Sequence, residues 1–162
     1  SILALENVRS GRYTMALCTE PSSGKDLVCH SLIEEPMVLV PRAFGPKLER
    51  SAKLVTIEEG SATWQGIGEK LLKHPQISGH SLLRVESFQA AVQMVRYGFG
   101  NGLLPYGIAV SMGVPSEVIK PLKPAVCRKI TLVARSSIAA LEVYQRFQAA
   151  LMVATNDQLR LS

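Results

Sequence analysis

The sequence predicts an α/β protein in which short buried strands alternate with amphipathic helices. Short apolar runs typical of buried strands recur along the chain, and stretches with apolar residues at helical spacing separate them. Gly, Pro and Ser residues mark the junctions. The 162 residues are 47% hydrophobic and 19% charged, which is typical of a globular core and excludes a disordered chain. The alternation of strands and helices favours a largely parallel sheet.

The first part of the chain is predicted to form one helix followed by strands. Apolar residues over 2–8 have helical spacing, and Gly11 marks the end of that helix. A short apolar strand is predicted over 13–18. After a loop and a further extended segment, Pro36 introduces the most strand-like run of the chain, over 37–40.

The middle of the chain is predicted to alternate strand and helix. Strands are predicted over 54–57, 82–85 and 103–105. A helix follows each of the first two strands, one beginning after 61–63 and the other after Ser87.

The last part of the chain opens with the glycine cluster at 98–102. A dinucleotide-binding loop follows a strand and opens a helix, whereas this cluster follows a predicted helix and precedes a predicted strand. We therefore interpret it as a helix end and a tight turn. A helical turn near 108–112, a strand over 129–134 and a helix over 137–153 complete the prediction.

No sequence pattern of an enzyme active site is present. The motifs GxSxG and HExxH and the Walker loop are all missing, and the three histidines are scattered. Cys29 and His30 are neighbours in an extended segment, so their side chains are expected on opposite faces. We therefore expect no enzymatic activity, no cofactor and no metal.

The expected location of the protein is the cytoplasm. The three cysteines, Cys18, Cys29 and Cys127, have irregular spacing without a CxxC pair, which is typical of reduced thiols in a cytosolic protein. The sequence shows no signal peptide and no run of about 18 apolar residues, the length that a membrane-spanning helix needs.

The charge of the chain raises the question of nucleic acid. Basic residues outnumber acidic residues by 18 to 13, a formal net charge of +5. However, no predicted helix carries a continuous Lys/Arg face, and no aromatic residues interleave with the basic ones. A solvated surface is therefore favoured over a direct DNA footprint. The basic residues concerned are Arg42, Lys47, Arg50, Lys53, Lys70, Lys73, Lys120, Lys123, Arg128 and Lys129.

Small hydroxyl residues stand where strands are predicted to end. Ser61, Thr63 and Ser87 each follow a strand and open a helix, and Thr19 follows an earlier strand. The free N–H groups and the dipole of a helix N-terminus favour anions, and open α/β sheets bind ligands at the carboxyl ends of their strands. Plain helix caps are the alternative interpretation. The sequence leaves both open.

A longer pattern resembles a known family. It begins with Glu86-Ser87-Phe88, continues through 92–95 and ends with Tyr97-Gly98-Phe99-Gly100-Asn101-Gly102-Leu103-Leu104-Pro105. In order and spacing it is similar to the core of LysR-type transcriptional regulators. The segments that resemble the family's first helix and strand, its entry into the second subdomain and its return to the first are 5–17, 31–40 and 128–135.

The resemblance implies an effector-binding domain with a periplasmic-binding-protein-like fold. Such a domain has two Rossmann-like subdomains joined by two crossover strands, with a small molecule bound in the cleft between them. Residues 1–34 and 129–162 would form subdomain I, and 35–128 subdomain II. The resemblance also implies that the DNA-binding domain and the opening strand–helix–strand of subdomain I are missing from this chain, so subdomain I would be incomplete.

The resemblance further implies the residues that bind the effector. Thr19 matches a cleft contact of subdomain I, and the contacts of subdomain II match Ser61, Thr63, Trp64, Ser87 and Phe88. Trp64 has two open interpretations, because its ring would serve equally to stack on an effector or to anchor the core.

The implied mechanism is switching by ligand binding, without chemistry. A small anionic or polar effector would favour one cleft geometry and so change the geometry of a dimer or tetramer. DNA would be bound only through an N-terminal domain outside this chain. A solute-binding lobe of a transport or chemotaxis system is the alternative.

Overall fold

The computed structural model describes residues 2–19 and 26–158. The chain folds into two compact units, Ser1–Glu34 with Lys129–Ser162 and Glu35–Arg128. The helices and strands of the described residues are α1 (Ile2–Arg9), β1 (Met15–Thr19), β2 (Leu27–Val40), β3 (Leu54–Ile57), α2 (Ala62–Leu72), β4 (Leu82–Val85), α3 (Phe88–Arg96), β5 (Asn101–Pro105), α4 (Tyr106–Ser111), β6 (Lys120–Pro121), β7 (Cys127–Arg135), α5 (Ser136–Ala139) and α6 (Glu142–Gln158).

In the first unit, α1 packs on a small apolar cluster. The helix buries Leu5 and Val8 at helical spacing, and it ends before Gly11, whose φ of +79° suits the left-handed turn after a helix. β1 pairs antiparallel with β7, from Met15 opposite Ala134 to Thr19 opposite Ile130. The cluster consists of Leu5, Val8, Cys18, Leu27 and Val133.

The predicted long helix over 137–153 is two helices, α5 and α6. The chain bends at Ala140–Leu141, where the Leu141 N–H donates to the Ile138 carbonyl at 3.0 Å. Leu141 is consequently 48% exposed, whereas Tyr144, on the next helix, is buried against Leu32, Leu132 and Ala134. Apolar spacing alone does not register such a break, because both helices keep apolar residues on the packed side.

The sheet of the second unit has the strand order β2–β5–β3–β4, with β6 paired to β2. β3 runs parallel to both β4 and β5, whereas β2 pairs antiparallel with β5 and with β6. The expectation of a largely parallel sheet is therefore right for β3, β4 and β5 and wrong for β2, β6 and the β1–β7 pair. An apolar run indicates burial but carries no information on strand direction, which the connections determine.

Strand β2 passes through Pro36 without a break. Its backbone continues from Leu27 in the first unit to Val40 in the second, although the sequence suggested a new strand after the proline. The fixed φ of proline is compatible with extended backbone, and its only cost there is one missing donor. A proline inside an apolar run is therefore not a reliable strand boundary.

The glycine cluster forms the helix end and turn that the sequence predicted. Gly98 follows α3 with a φ of +80°. At Gly100 a Cβ would collide with the carbonyl oxygen of Lys53, so only glycine permits this close approach of two chain segments. The cluster thus serves the packing of β5 against the start of β3.

Candidate functional site

Two helices of the second unit begin at one edge of its sheet. β3 and β4 are adjacent and parallel, so α2 and α3, which follow them, start at the same carboxyl edge. Ser61 caps α2, its Oγ accepting from the Trp64 N–H at 3.1 Å, and Ser87 caps α3, its Oγ accepting from the Ala90 N–H at 3.1 Å. Both serines are therefore helix caps, and each hydroxyl keeps its own O–H to donate to a ligand.

Thr63 is buried and bound to an arginine. Its Oγ1 accepts a hydrogen bond from Nη1 of Arg128 at 3.2 Å. The guanidinium also lies 5.3 Å from the centre of the Phe88 ring, which is buried at the start of α3. Arg128 thus joins the beginnings of α2 and α3 through one polar and one cation–π contact.

Arg128 forms a buried ion pair with Glu35. Its Nε and Nη2 lie 2.7 and 2.6 Å from Oε2 of Glu35, and the two side chains are only 11% and 6% exposed. The other carboxylate oxygen, Oε1, accepts from the Gly107 N–H at 2.9 Å, so both oxygens of Glu35 are satisfied. Removing one partner of such a buried pair is strongly destabilising, because it leaves the other charge buried without compensation.

Trp64 lies between a glycine and an arginine. The guanidinium of Arg84 sits 4.1 Å from the ring centre, and Arg84 is itself paired with Glu59 at 2.8 Å. Gly68 lies against the Trp64 ring so closely that a Cβ at this position would come within 2.6 Å of the indole Nε1. Trp64 is only 7% exposed. Of its two interpretations, its contacts favour anchoring the core over stacking on an effector.

The structure brings five of the six predicted ligand contacts into one unit. They are Ser61, Thr63, Trp64, Ser87 and Phe88, all in the second unit. Thr19 belongs to the first unit, where it ends β1 opposite Ile130 and is half-buried. Their role in ligand binding stays a prediction.

Sequence reasoning missed Glu35 and misplaced Arg128. Arg128 was assigned to a solvated surface, which is wrong because the side chain is buried against Glu35. One signal was present, since Glu35 stands two residues before the apolar run 37–40, where a buried charge would need a partner. Its partner lies 93 residues away, a distance at which the sequence offers no pairing rule.

Other site types find little support in the described part of the chain. Residues 2–19 and 26–158 contain no group of three or more His, Cys, Asp or Glu side chains placed to hold a metal ion. None of the helices in these ranges is long and apolar enough to cross a membrane. Burial raises the pKa of the Cys18 thiol, which lowers its thiolate fraction and hence its reactivity.

The family model of the LysR substrate binding domain matches residues 2–154. The chain belongs to this family. LysR substrate-binding domains are the effector-sensing regulatory domains of LysR-type transcription regulators and have the periplasmic-binding-protein-like fold. Regulators of this type bind small-molecule effectors, oligomerise and contact DNA through a separate domain.

Solved structures agree with this fold. An OxyR mutant from Porphyromonas gingivalis has a TM-score of 0.74 at 18% identity, covering 100% of this chain and 79% of that one. The reduced OxyR regulatory domain from Pseudomonas aeruginosa has a TM-score of 0.74 at 17% identity, covering 96% and 78%. An OxyR C206 mutant from Corynebacterium glutamicum has a TM-score of 0.69 at 20% identity, and this LysR substrate-binding domain spans only 52% of its length. No curated protein matches the chain.

Proposed function

We propose that this chain senses a small anionic or polar effector for a LysR-type bacterial transcription regulator, and that it binds the effector at the carboxyl edge of β3 and β4. The observation that carries the proposal is the meeting of two helix N-termini at Arg128, which contacts Thr63 of α2 and Phe88 of α3. The family match favours a regulator over the solute-binding lobe of a transport system.

The charges at this edge favour a neutral polar group or a single negative charge. Arg128 is balanced by Glu35, and Arg84 by Glu59. With both arginines neutralised, the positive charge left at this edge is the partial charge of the N-termini of α2 and α3. Two solved neighbours hold an anion: the HypT regulatory domain from Salmonella typhimurium contains bromide, and an OxyR2 mutant domain from Vibrio vulnificus contains sulfate.

We propose that the main role of Arg128 is to hold the starts of α2 and α3 in a fixed arrangement. Because Nε and Nη2 are held by Glu35, the guanidinium cannot turn, and Nη1 stays directed at Thr63. An effector that bonds to this edge would therefore meet donors that are already in place, which lowers the entropy cost of binding.

We also propose that the two compact units are the two subdomains of the family fold and that Thr19 is the contact from the first. The effector then shifts the population between two domain geometries, by no more than its difference in affinity for them. In the intact regulator this shift changes the geometry of a dimer or tetramer and, through a separate domain, DNA binding.

The test is calorimetric titration with a panel of small carboxylates, neutral polar compounds and amines. Ser87→Ala and Thr19→Ala are each expected to weaken the best ligand of the panel about tenfold, the loss of roughly one hydrogen bond to a charged group. Ser111→Ala is the matched control, because Ser111 donates to Ile108 within α4, away from this edge. Equal affinity in all variants, or an amine as the best ligand, would overturn the proposal.

A further inference from the structure

A groove of about 500 Å³ opens at the other end of the second unit's sheet. Its volume is within the range of small-molecule sites, about 300–1,000 Å³. It borders Asn101, the first residue of β5, whereas the proposed effector edge lies where β3 and β4 end. Because β3 and β5 are parallel, the two places are at opposite edges of one sheet. The lining residues are Leu39, Leu48, Glu49, Arg50, Pro75, Gln76, His80 and Asn101.

One lining residue holds the groove's shape. The side-chain amide of Asn101 is buried; its Oδ1 accepts from the Arg42 N–H at 3.0 Å and from the Glu49 N–H at 3.5 Å. Its Nδ2 donates to the Glu49 carbonyl at 2.8 Å. The loop that carries Leu48, Glu49 and Arg50 is thereby attached to the start of β5, so the wall of the groove is built rather than incidental.

Several donors of the groove are left over after these bonds. The Oε1 of Gln76 accepts from the Lys123 N–H at 2.7 Å. Among residues 2–19 and 26–158 no acceptor holds its amide N–H groups, so they can donate to a ligand. Nδ1 of His80 faces the Ala52 carbonyl at 3.3 Å, and a ring that donates from Nδ1 has an acceptor at Nε2, so His80 is not one of these donors. Within 2–19 and 26–158, the Arg50 guanidinium has no ion-pair partner.

The local charge at the groove is positive. The segment 42–53 carries the basic residues Arg42, Lys47, Arg50 and Lys53 against the single acid Glu49. Glu49 is already paired with Arg42 at 3.0 Å. The remaining positive charge, together with free N–H donors, selects for a negatively charged group.

Part of the groove's lining is apolar. It consists of Leu39, which is buried in β2, and of Leu48 and Pro75. We propose that this groove is a second ligand site, taking a small monocarboxylate with an apolar or aromatic body. The carboxylate bonds to Arg50 and to the amide of Gln76, and the apolar body covers Leu39 and Leu48. This inference is independent of the proposed effector edge.

Benzoate is the probe, with benzylammonium as its cationic counterpart, in a titration followed by the backbone amide NMR spectrum of the chain. Benzoate is expected to shift the amides of 48–50, 76–80 and 101. Arg50→Gln and Gln76→Glu are each expected to weaken it about tenfold. Gln76→Glu keeps the oxygen that accepts from Lys123, so it removes the donors without removing that bond.

Lys47→Gln is the matched control, because it removes the same charge from the same loop outside the lining residues. It is expected to change benzoate affinity less than about twofold, as an exposed charge does. Equal weakening by Lys47→Gln and Arg50→Gln would show general attraction to a basic loop and overturn the site. Equal binding of benzylammonium, or shifts confined to 61–64 and 87–90, would overturn it as well.

Discussion

The two edges of the second unit's sheet differ in whether their polar side chains are buried and hydrogen-bonded or exposed. At the carboxyl edge, Arg128, Glu35 and Thr63 are buried and bonded to one another. At the opposite edge, called the amino edge because β3 and β5 begin there, Arg50 and Gln76 line the groove. Both are exposed and keep N–H donors for a ligand. At the carboxyl edge, the side chains that position the ligand also stabilise the fold. At the amino edge, the side chains that bind the ligand contribute little to stability. Substitutions of Arg128 and of Arg50 should therefore differ strongly in their effect on the free energy of unfolding.

The largest effect is expected when the buried ion pair is broken. Arg128→Met leaves Glu35 charged and buried without its partner, which should lower the free energy of unfolding by about 3–5 kcal/mol. Glu35→Gln with Arg128→Met removes the orphaned charge and keeps an oxygen for the Gly107 N–H. The double variant should recover most of the loss in urea denaturation. A double variant no more stable than the single one would contradict the role given to this pair.

The next effect concerns the residue that holds the amino edge together. Asn101→Ala leaves the backbone groups of Arg42 and Glu49 without their buried partner and should lower the free energy of unfolding by about 1–3 kcal/mol. It should also abolish benzoate binding, because the loop is no longer attached. Thermal unfolding and the benzoate titration measure both. Loss of stability with unchanged benzoate binding would show that the attachment of this loop is not needed for the benzoate site.

Smaller losses are expected at the helix caps. Ser61→Ala and Ser87→Ala each remove a bond to a backbone N–H and should cost about 1 kcal/mol, while Ser111→Ala should stay within about 0.5 kcal/mol. Urea denaturation compares the three variants. Equal losses in all three would mean that the caps contribute no more than an ordinary exposed serine.

The smallest effect is expected for the exposed donors of the groove. Arg50→Gln should change the free energy of unfolding by less than about 0.5 kcal/mol, because its side chain is exposed and unpaired among the described residues. The same urea series measures it. A loss as large as that of Asn101→Ala would show that Arg50 is structural, and the contrast between the two edges would fail.

The sequence predicted best what depends on local spacing. Apolar residues at helical spacing after Ser61 and Ser87 predicted α2 and α3, and both serines are caps. The break at Leu141 and the antiparallel direction of β2 were missed, because packing and connections decide them rather than local pattern. Arg128 was missed for the same reason, since its burial depends on Glu35, which is distant in the chain.

The most direct test of the effector site is hydrogen–deuterium exchange of the chain with the best ligand from the titration panel. We expect slower exchange of the amides at the starts of α2 and α3, over 61–65 and 87–91, with no comparable change around Ser111. Ser87→Ala should reduce this protection. Slower exchange elsewhere in the chain, with unchanged exchange over 61–65 and 87–91, would show that the two helix N-termini do not bind the effector.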